Sequence, residues 1–198
     1  MKNDHKLIIQ SIILSLLIIV LAFSRIIPHL PNFSPLGAVC LFGACHFQKR
    51  WQAFFVPIFA TWLSDLYLNN VLYNQEGGDF IWFYQGFHWQ YTSYLFIALL
   101  SLKLFSRKIN PGRLLIGAVG SSIIFFLISN FGVWVSSGMY SKNIYGLISC
   151  YLAGIPFIKG TMVGNLFYTP IVFYSYYFLQ VKFAILNTRT KRYSFELN

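Results

Sequence analysis

Apolar runs close to 20 residues long follow one another through this sequence, and they constrain its fold more than any other feature. Only 10% of the 198 residues are charged, whereas an ordinary soluble domain has about 25%. A chain with so few charges cannot cover a water-facing surface, which argues against a soluble enzyme, a disordered tail and a disulfide scaffold. The mean hydropathy of +0.59 and the length of the runs predict an all-α integral membrane protein.

The apolar pattern predicts a single transmembrane domain over residues 1–198. Its six spans are expected at about 7–27, 36–47, 51–68, 90–106, 114–135 and 161–186. The first run is longer than the roughly 7–15 apolar residues of a signal peptide, so we expect a retained helix. The second span rises only about 18 Å, short of a hydrocarbon core of about 30 Å. We therefore expect either a half-helix or a span that continues through irregular, shielded backbone in the Pro-rich segment before it.

Basic residues predict the orientation of these spans. With the N-terminus inside, 12 of the 15 Lys and Arg fall in cytoplasmic segments, and only Arg25, Lys142 and Lys159 lie outside. This bias follows the positive-inside rule, and it places both termini in the cytoplasm, with residues 187–198 as a basic tail. The net charge of +10 then reflects topology, and we expect no nucleic-acid partner.

One apolar stretch leaves the number of spans open. Residues Ile144 to Ile158 contain Pro156 and are short for a membrane passage. We expect a re-entrant or interfacial helix here. The alternative is a seventh span, which would place the C-terminus outside.

Polar side chains and prolines are mixed directly after the first span. Arg25, His29 and Asn32 lie in a segment that also contains Pro28, Pro31 and Pro35. Proline fixes φ and removes a backbone donor, so this segment can hold polar groups in place as one wall of a ligand site. The alternative is an interfacial loop whose Arg25 reaches the lipid headgroups.

Asp65 is the only carboxylate within a predicted helix. A charge at mid-membrane costs roughly 2.5–3.5 kcal/mol, so such residues usually pair or serve a function. Arg25 is predicted at the same level and is the obvious ion-pair partner. The pair could only fix the first span to the third, or it could also contact a ligand or a coupling ion.

Polar residues of the last two spans complete the candidate site. Asn130, Trp134 and Asn165 could join helices by hydrogen bonds or face a shared cavity, and their convergence on the outer half favours the cavity. The predicted substrate-binding residues are Arg25, His29, Asn32, Asp65, Asn130, Trp134 and Asn165. Arg25 would bind an anionic or carbonyl group, and the two later asparagines would form hydrogen bonds. Trp134, with Tyr73 or Trp82, would stack on a ring.

Several chemistries lack a motif. The sequence contains no P-loop, GxSxG, HExxH or dinucleotide fingerprint, so we expect neither an enzyme nor a cofactor. His46 lies next to Cys45, but Lys49 and Arg50 are close and no carboxylate is near. We therefore expect no metal site.

Motifs along most of the chain resemble a bacterial family of uncharacterised membrane proteins to which a transport role is ascribed. They are Arg25-x-x-Pro28, Asn32-Phe-Ser-Pro-Leu-Gly-Ala38, Leu63-Ser-Asp-Leu66, Asn130-Phe-Gly-Val-Trp134 and Cys150 to Phe157. That family is similar to the substrate-binding S components of energy-coupling factor vitamin transporters. The resemblance implies an S-component-like bundle in the bacterial inner membrane that binds a vitamin-like compound on its outer side. It also implies a transmembrane coupling protein and ATPase subunits as partners.

Two functions thus follow from the sequence. The first is a substrate-binding subunit of a small-molecule uptake transporter. The second is a structural or assembly subunit of a membrane complex that has no small-molecule ligand.

Overall fold

The structure is a computed structural model that describes residues 2–27, 30–74, 78–106, 108–183, 186 and 194–195. Over these residues the chain forms six α-helices. They are α1 (Lys2–Phe23), α2 (Leu36–His46), α3 (Arg50–Tyr67), α4 (Phe87–Leu104), α5 (Pro111–Ser136) and α6 (Ile144–Lys182). A 3₁₀ turn, Ser24–Ile26, extends α1, and a π-helical segment, Leu68–Leu72, extends α3.

Successive helices run in opposite directions. Gln10 near the start of α1 donates a hydrogen bond to Tyr176 near the end of α6, while Arg25 after α1 pairs with Asp65 at the end of α3. Asn165 of α6 donates to Ser122 of α5. The ends of α1 and α3 and the beginnings of α2 and α4 therefore lie at one end of the bundle, which we call the cavity end.

The short helix α2 lies at the centre of the bundle. It is apolar on all sides, every residue from Leu36 to Cys45 is buried, and it packs against the five other helices. A helix without a polar face must be covered all round, and its 11 residues rise only about 16 Å. The predicted short second helix is thus confirmed, and it is shielded by protein along its whole length.

Helix α6 differs most from the prediction. It is one continuous helix of 39 residues, about 58 Å long, and it begins where Asn143 accepts a hydrogen bond from the backbone N–H of Gly146. The expected sixth span at 161–186 starts later than this helix does. Residues 144–158, expected as a separate re-entrant or interfacial helix or as a seventh span, form its first part. Pro156 removes a single helical hydrogen bond, and packing against α5 holds the helix together across it.

The other helices begin and end within five residues of the predicted spans. By length and hydropathy, three helical stretches of the described chain could cross a membrane: Asp4–Ile26, Pro111–Ser136 and Ile144–Lys182. The predicted six membrane passages stay a prediction.

The predicted basic tail falls mostly outside the described residues. A two-residue strand within it, β2 (Ser194–Phe195), pairs in parallel with β1 (Lys108–Ile109), which follows α4. The described part of the tail therefore lies at the end of the bundle opposite the cavity end.

Candidate ligand-binding cavity

The predicted ion pair between Arg25 and Asp65 is present. Arg25 Nη1 lies 2.6 Å from Asp65 Oδ1, and the two side chains are 19% and 7% exposed. The second oxygen, Oδ2, accepts a hydrogen bond of 2.7 Å from the Tyr91 hydroxyl. Burial of a charge is costly unless it is paired and hydrogen-bonded, and both conditions are met here. The pair joins the end of α1 to the end of α3.

A cavity of about 80 Å³ lies beside this ion pair, between α2, α4, α5 and α6. Its polar lining consists of Arg25, Asn32, Ser34, Gln90, Thr161 and Asn165. Leu36, Gly37, Tyr94, Ile97 and Phe125 form the rest of the wall. Its volume is about half of the roughly 150 Å³ that encloses a benzene ring. The cavity therefore has room for one end of a larger ligand.

Asn165 is the most buried polar residue in this wall. Its side chain is 2% exposed, and Nδ2 donates a 2.9 Å hydrogen bond to Ser122 Oγ. Its Oδ1 has no hydrogen-bond partner among the described residues. A Cβ atom at Gly37 would overlap this oxygen, so the glycine allows α2 to approach the amide.

The irregular segment before α2 is held against α6. A Cβ at Gly160 would overlap the carbonyl oxygen of Pro31, and one at Gly164 would lie 2.9 Å from the backbone nitrogen of Ser34. Asn32 has a positive φ of 59°, a conformation that Asn tolerates better than most residues. This segment therefore packs closely against α6, and its Asn32 and Ser34 line the cavity.

The structure brings together some of the predicted site residues. Arg25, Asn32 and Asn165 line the cavity. Asp65 is not part of the wall, but it pairs with Arg25. His29 lies outside the described residues.

Asn130 and Trp134 do not line this cavity. Asn130 Nδ2 donates to the carbonyl oxygen of Phe126 in its own helix, and its side chain lies against Gly154. Trp134 Nε1 donates to the carbonyl oxygen of Ser141, and the ammonium of Lys142 lies 5.7 Å from the centre of its ring. Both residues join α5 to the segment that begins α6.

The aromatic wall comes from residues that were not predicted from the sequence. Tyr94 and Phe125 stack at 6.0 Å between ring centres, whereas Tyr73 and Trp82, which we expected to stack on a ligand, are 73% and 60% exposed. Gln90, Tyr94 and Ile97 are spaced four and three residues apart, which places them on one face of a helix. Gln90, a polar residue at the start of that face, was the sequence signal from which this wall could have been predicted.

Tyr84 adds a neutral hydroxyl near the ion pair. It lies in the segment between α3 and α4, and its hydroxyl is buried without a hydrogen-bond partner among the described residues. Burial raises the pKa of the phenol above its ordinary value, and the negative charge of Asp65 raises it further. The hydroxyl therefore stays protonated and can donate a hydrogen bond.

At the end of α2 opposite the cavity, His46 is packed among aromatic rings. The His46 ring lies 4.2 Å from the ring of Phe42, and it also contacts Phe173 and Tyr176. His46 Nδ1 lies 2.9 Å from the Phe42 carbonyl oxygen. The described residues contain no group of three or more potential metal ligands.

Fold and cavity together define a helical protein with a polar cavity among its helices. Three helices of its described part are long and apolar enough to cross a membrane. The chain belongs to a family of unknown function (DUF6580), whose model matches residues 5–188. No curated protein and no solved structure matches it.

Proposed function

We propose that this protein is the membrane-embedded substrate-binding subunit of an uptake transporter for a vitamin-like small molecule. The observation that carries the proposal is the cavity beside the Arg25–Asp65 pair, because it combines a cation, an unpaired buried amide oxygen and an aromatic wall. Small-molecule sites usually combine apolar walls with a few convergent polar groups.

The exposed surface of the helices supports insertion in a membrane. Large apolar side chains are exposed on several helices, among them Val20 at 67%, Leu115 at 57% and Phe178 at 65%. Soluble monomers rarely expose large contiguous apolar surfaces. We propose six membrane passages, with α2 as a short one that the surrounding helices shield from lipid.

The distribution of basic residues supports an outward-facing cavity. Of the three basic residues assigned to the outer side, Arg25 is at the cavity and the other two are on α6 or just before it. Four described basic residues of the second half lie at the opposite end of the bundle: Lys103, Lys108, Arg113 and Lys182. By the positive-inside rule, both termini are then cytoplasmic in a bacterial inner membrane.

Uptake against a gradient needs an energy source, and the sequence carries no nucleotide-binding motif. We therefore propose that a transmembrane coupling protein and ATPase subunits supply the energy. The protein itself binds the compound and does not change it chemically.

Mass spectrometry of small molecules retained by the detergent-purified protein tests this function. Thr161 lines the cavity, so Thr161→Phe should fill it and remove the retained compound. Val163, two residues further along α6, is 54% exposed, so the matched variant Val163→Phe should retain the compound as the parent does. Equal retention by both variants, or no retained compound after mild purification, would contradict the proposal.

One observation favours the alternative, an assembly subunit without a small-molecule ligand. A groove of about 490 Å³ runs beside α1 and the start of α3, and it is lined by residues that include Ser11, Ser15 and Gln52. An assembly subunit would co-purify with partner proteins but show no change in melting temperature with any small molecule.

A further inference from the structure

The cavity wall also indicates the chemistry of its ligand. Building on the proposed function, we infer that the compound binds through an end that carries a carboxylate and, beside it, an N–H or O–H donor. The carboxylate lies between the Arg25 guanidinium and the first turn of α2. The donor faces Asn165 Oδ1.

The charge at the wall is the first argument. Arg25 lines the cavity, whereas Asp65 is not among the lining residues and has its second oxygen bonded to Tyr91. Among the described residues, Nη1 is the one side-chain atom of Arg25 with acceptors. A guanidinium has five donors arranged for planar carboxylates, so the remaining ones can bind an anion.

The beginning of α2 adds to this positive potential. Leu36 and Gly37 line the cavity, and the first helical hydrogen bond is that from Val39 N–H to the Pro35 carbonyl oxygen. The Leu36 N–H donates to Ser34 Oγ, whereas the next two N–H groups precede the helical bonding pattern. The helix dipole adds a partial positive charge there.

The unpaired oxygen of Asn165 supplies an independent argument. Oδ1 lies against Gly37, at the first turn of α2, while Nδ2 is already used by Ser122. A buried acceptor without a donor is costly, and a ligand N–H or O–H would satisfy it. A ligand with a carboxylate alone would leave this oxygen unpaired.

The remaining lining residues make a neutral or cationic head group a poorer fit. Asn32, Ser34, Gln90 and Thr161 are uncharged, so Arg25 is the single formal charge on the described wall. A cationic head group would be repelled by Arg25. A neutral one would lack the charge-assisted hydrogen bonds that the guanidinium can form.

Three small probes separate these contributions. Lactate carries both features, lactamide replaces the carboxylate by an amide, and propionate lacks the hydroxyl donor. We would measure the Kd of each for the full-length protein in detergent, at constant ionic strength. Lactate should bind on the order of tenfold more tightly than either lactamide or propionate, because each analogue loses one hydrogen-bonded feature.

Variants assign each difference to its residue. Asn165→Leu should reduce lactate affinity to that of propionate and leave propionate unchanged, while the control Asn130→Leu should change neither. The double variant Arg25→Gln with Asp65→Asn should reduce lactate affinity to that of lactamide. It removes both charges together, so neither remains buried alone.

Equal affinity for lactate and lactamide would overturn the carboxylate assignment, and equal affinity for lactate and propionate would overturn the donor assignment. Failure of all three probes to bind would overturn the inference as a whole. The proposed function is judged separately, because a retained neutral or cationic compound that Thr161→Phe removes would support transport while overturning this inference.

Discussion

Two asparagines, both predicted as binding residues, occupy similar positions between α5 and α6 and differ in what they do. Asn130 lies against Gly154, and Asn165 lies against Gly37. Asn130 donates to the backbone of its own helix and is half-buried. Asn165 donates to a neighbouring helix, is 2% exposed and keeps an unpaired oxygen.

The difference shows how a polar residue in a helix interface can be assigned. An amide bonded to the carbonyl four residues before it uses its donor locally and needs no ligand. An amide closed off from water with an unpaired oxygen is costly, and under the proposed function a ligand donor would satisfy it. Local sequence does not separate the two cases, since both residues are asparagines in apolar helices.

The Arg25–Asp65 ion pair lies beside the cavity that Asn165 lines, whereas Asn130 lies away from it. Of the substitutions proposed below, breaking this pair should lower the free energy of unfolding most. Arg25→Met leaves Asp65 buried without its partner, so we expect the free energy of unfolding to fall by about 3 kcal/mol. Denaturant titration in detergent micelles measures the change.

A control from the same side of the protein is Lys159→Met, which should change stability by no more than about 0.5 kcal/mol because Lys159 is exposed. Adding Asp65→Leu to Arg25→Met should recover more than half of the loss. Equal stability of the two single variants would show that the buried pair adds nothing to the cavity end.

The two glycines provide a direct comparison of packing. Gly37→Ala places a methyl group on the enclosed Asn165 oxygen, so we expect a loss of about 2 kcal/mol from overpacking. Gly154→Ala meets the half-buried Asn130, whose side chain can turn outward, so its loss should stay below about 1 kcal/mol. Melting temperatures of the two variants test which substitution costs more stability. A larger loss for Gly154→Ala would contradict the tighter enclosure of Asn165 relative to Asn130.

The smallest expected effect concerns the two serines of α5. Ser122 Oγ accepts the hydrogen bond from Asn165 Nδ2, whereas Ser121 Oγ donates only to the carbonyl oxygen of Ala118 in its own helix. Ser122→Ala should lower the free energy of unfolding by about 1 kcal/mol because it leaves a buried donor unpaired. Ser121→Ala should have almost no effect, and equal losses would mean that the Asn165 amide does not depend on Ser122.

Much of the helical pattern could be predicted from the sequence. Apolar runs without charges predict helices because a chain in an apolar environment must satisfy its own backbone groups. The ion pair was also predictable, since Asp65 is the only carboxylate within a predicted helix and a buried charge needs a partner. The same reasoning missed the true start of α6, because a proline weakens a helix but neighbouring packing decides whether it ends.

Sequence by itself therefore determined the apolar helical character of this protein, the short second helix and the need to pair Asp65 with Arg25. Only the tertiary structure decided that Asn165 lines the cavity and Asn130 does not, and that Tyr94 and Phe125 supply its aromatic wall. The physical reason is that each residue must have its backbone groups hydrogen-bonded and its charge paired, and these needs can be read from the residue itself. Burial of an amide and closure of a cavity depend on how α2, α4, α5 and α6 pack together.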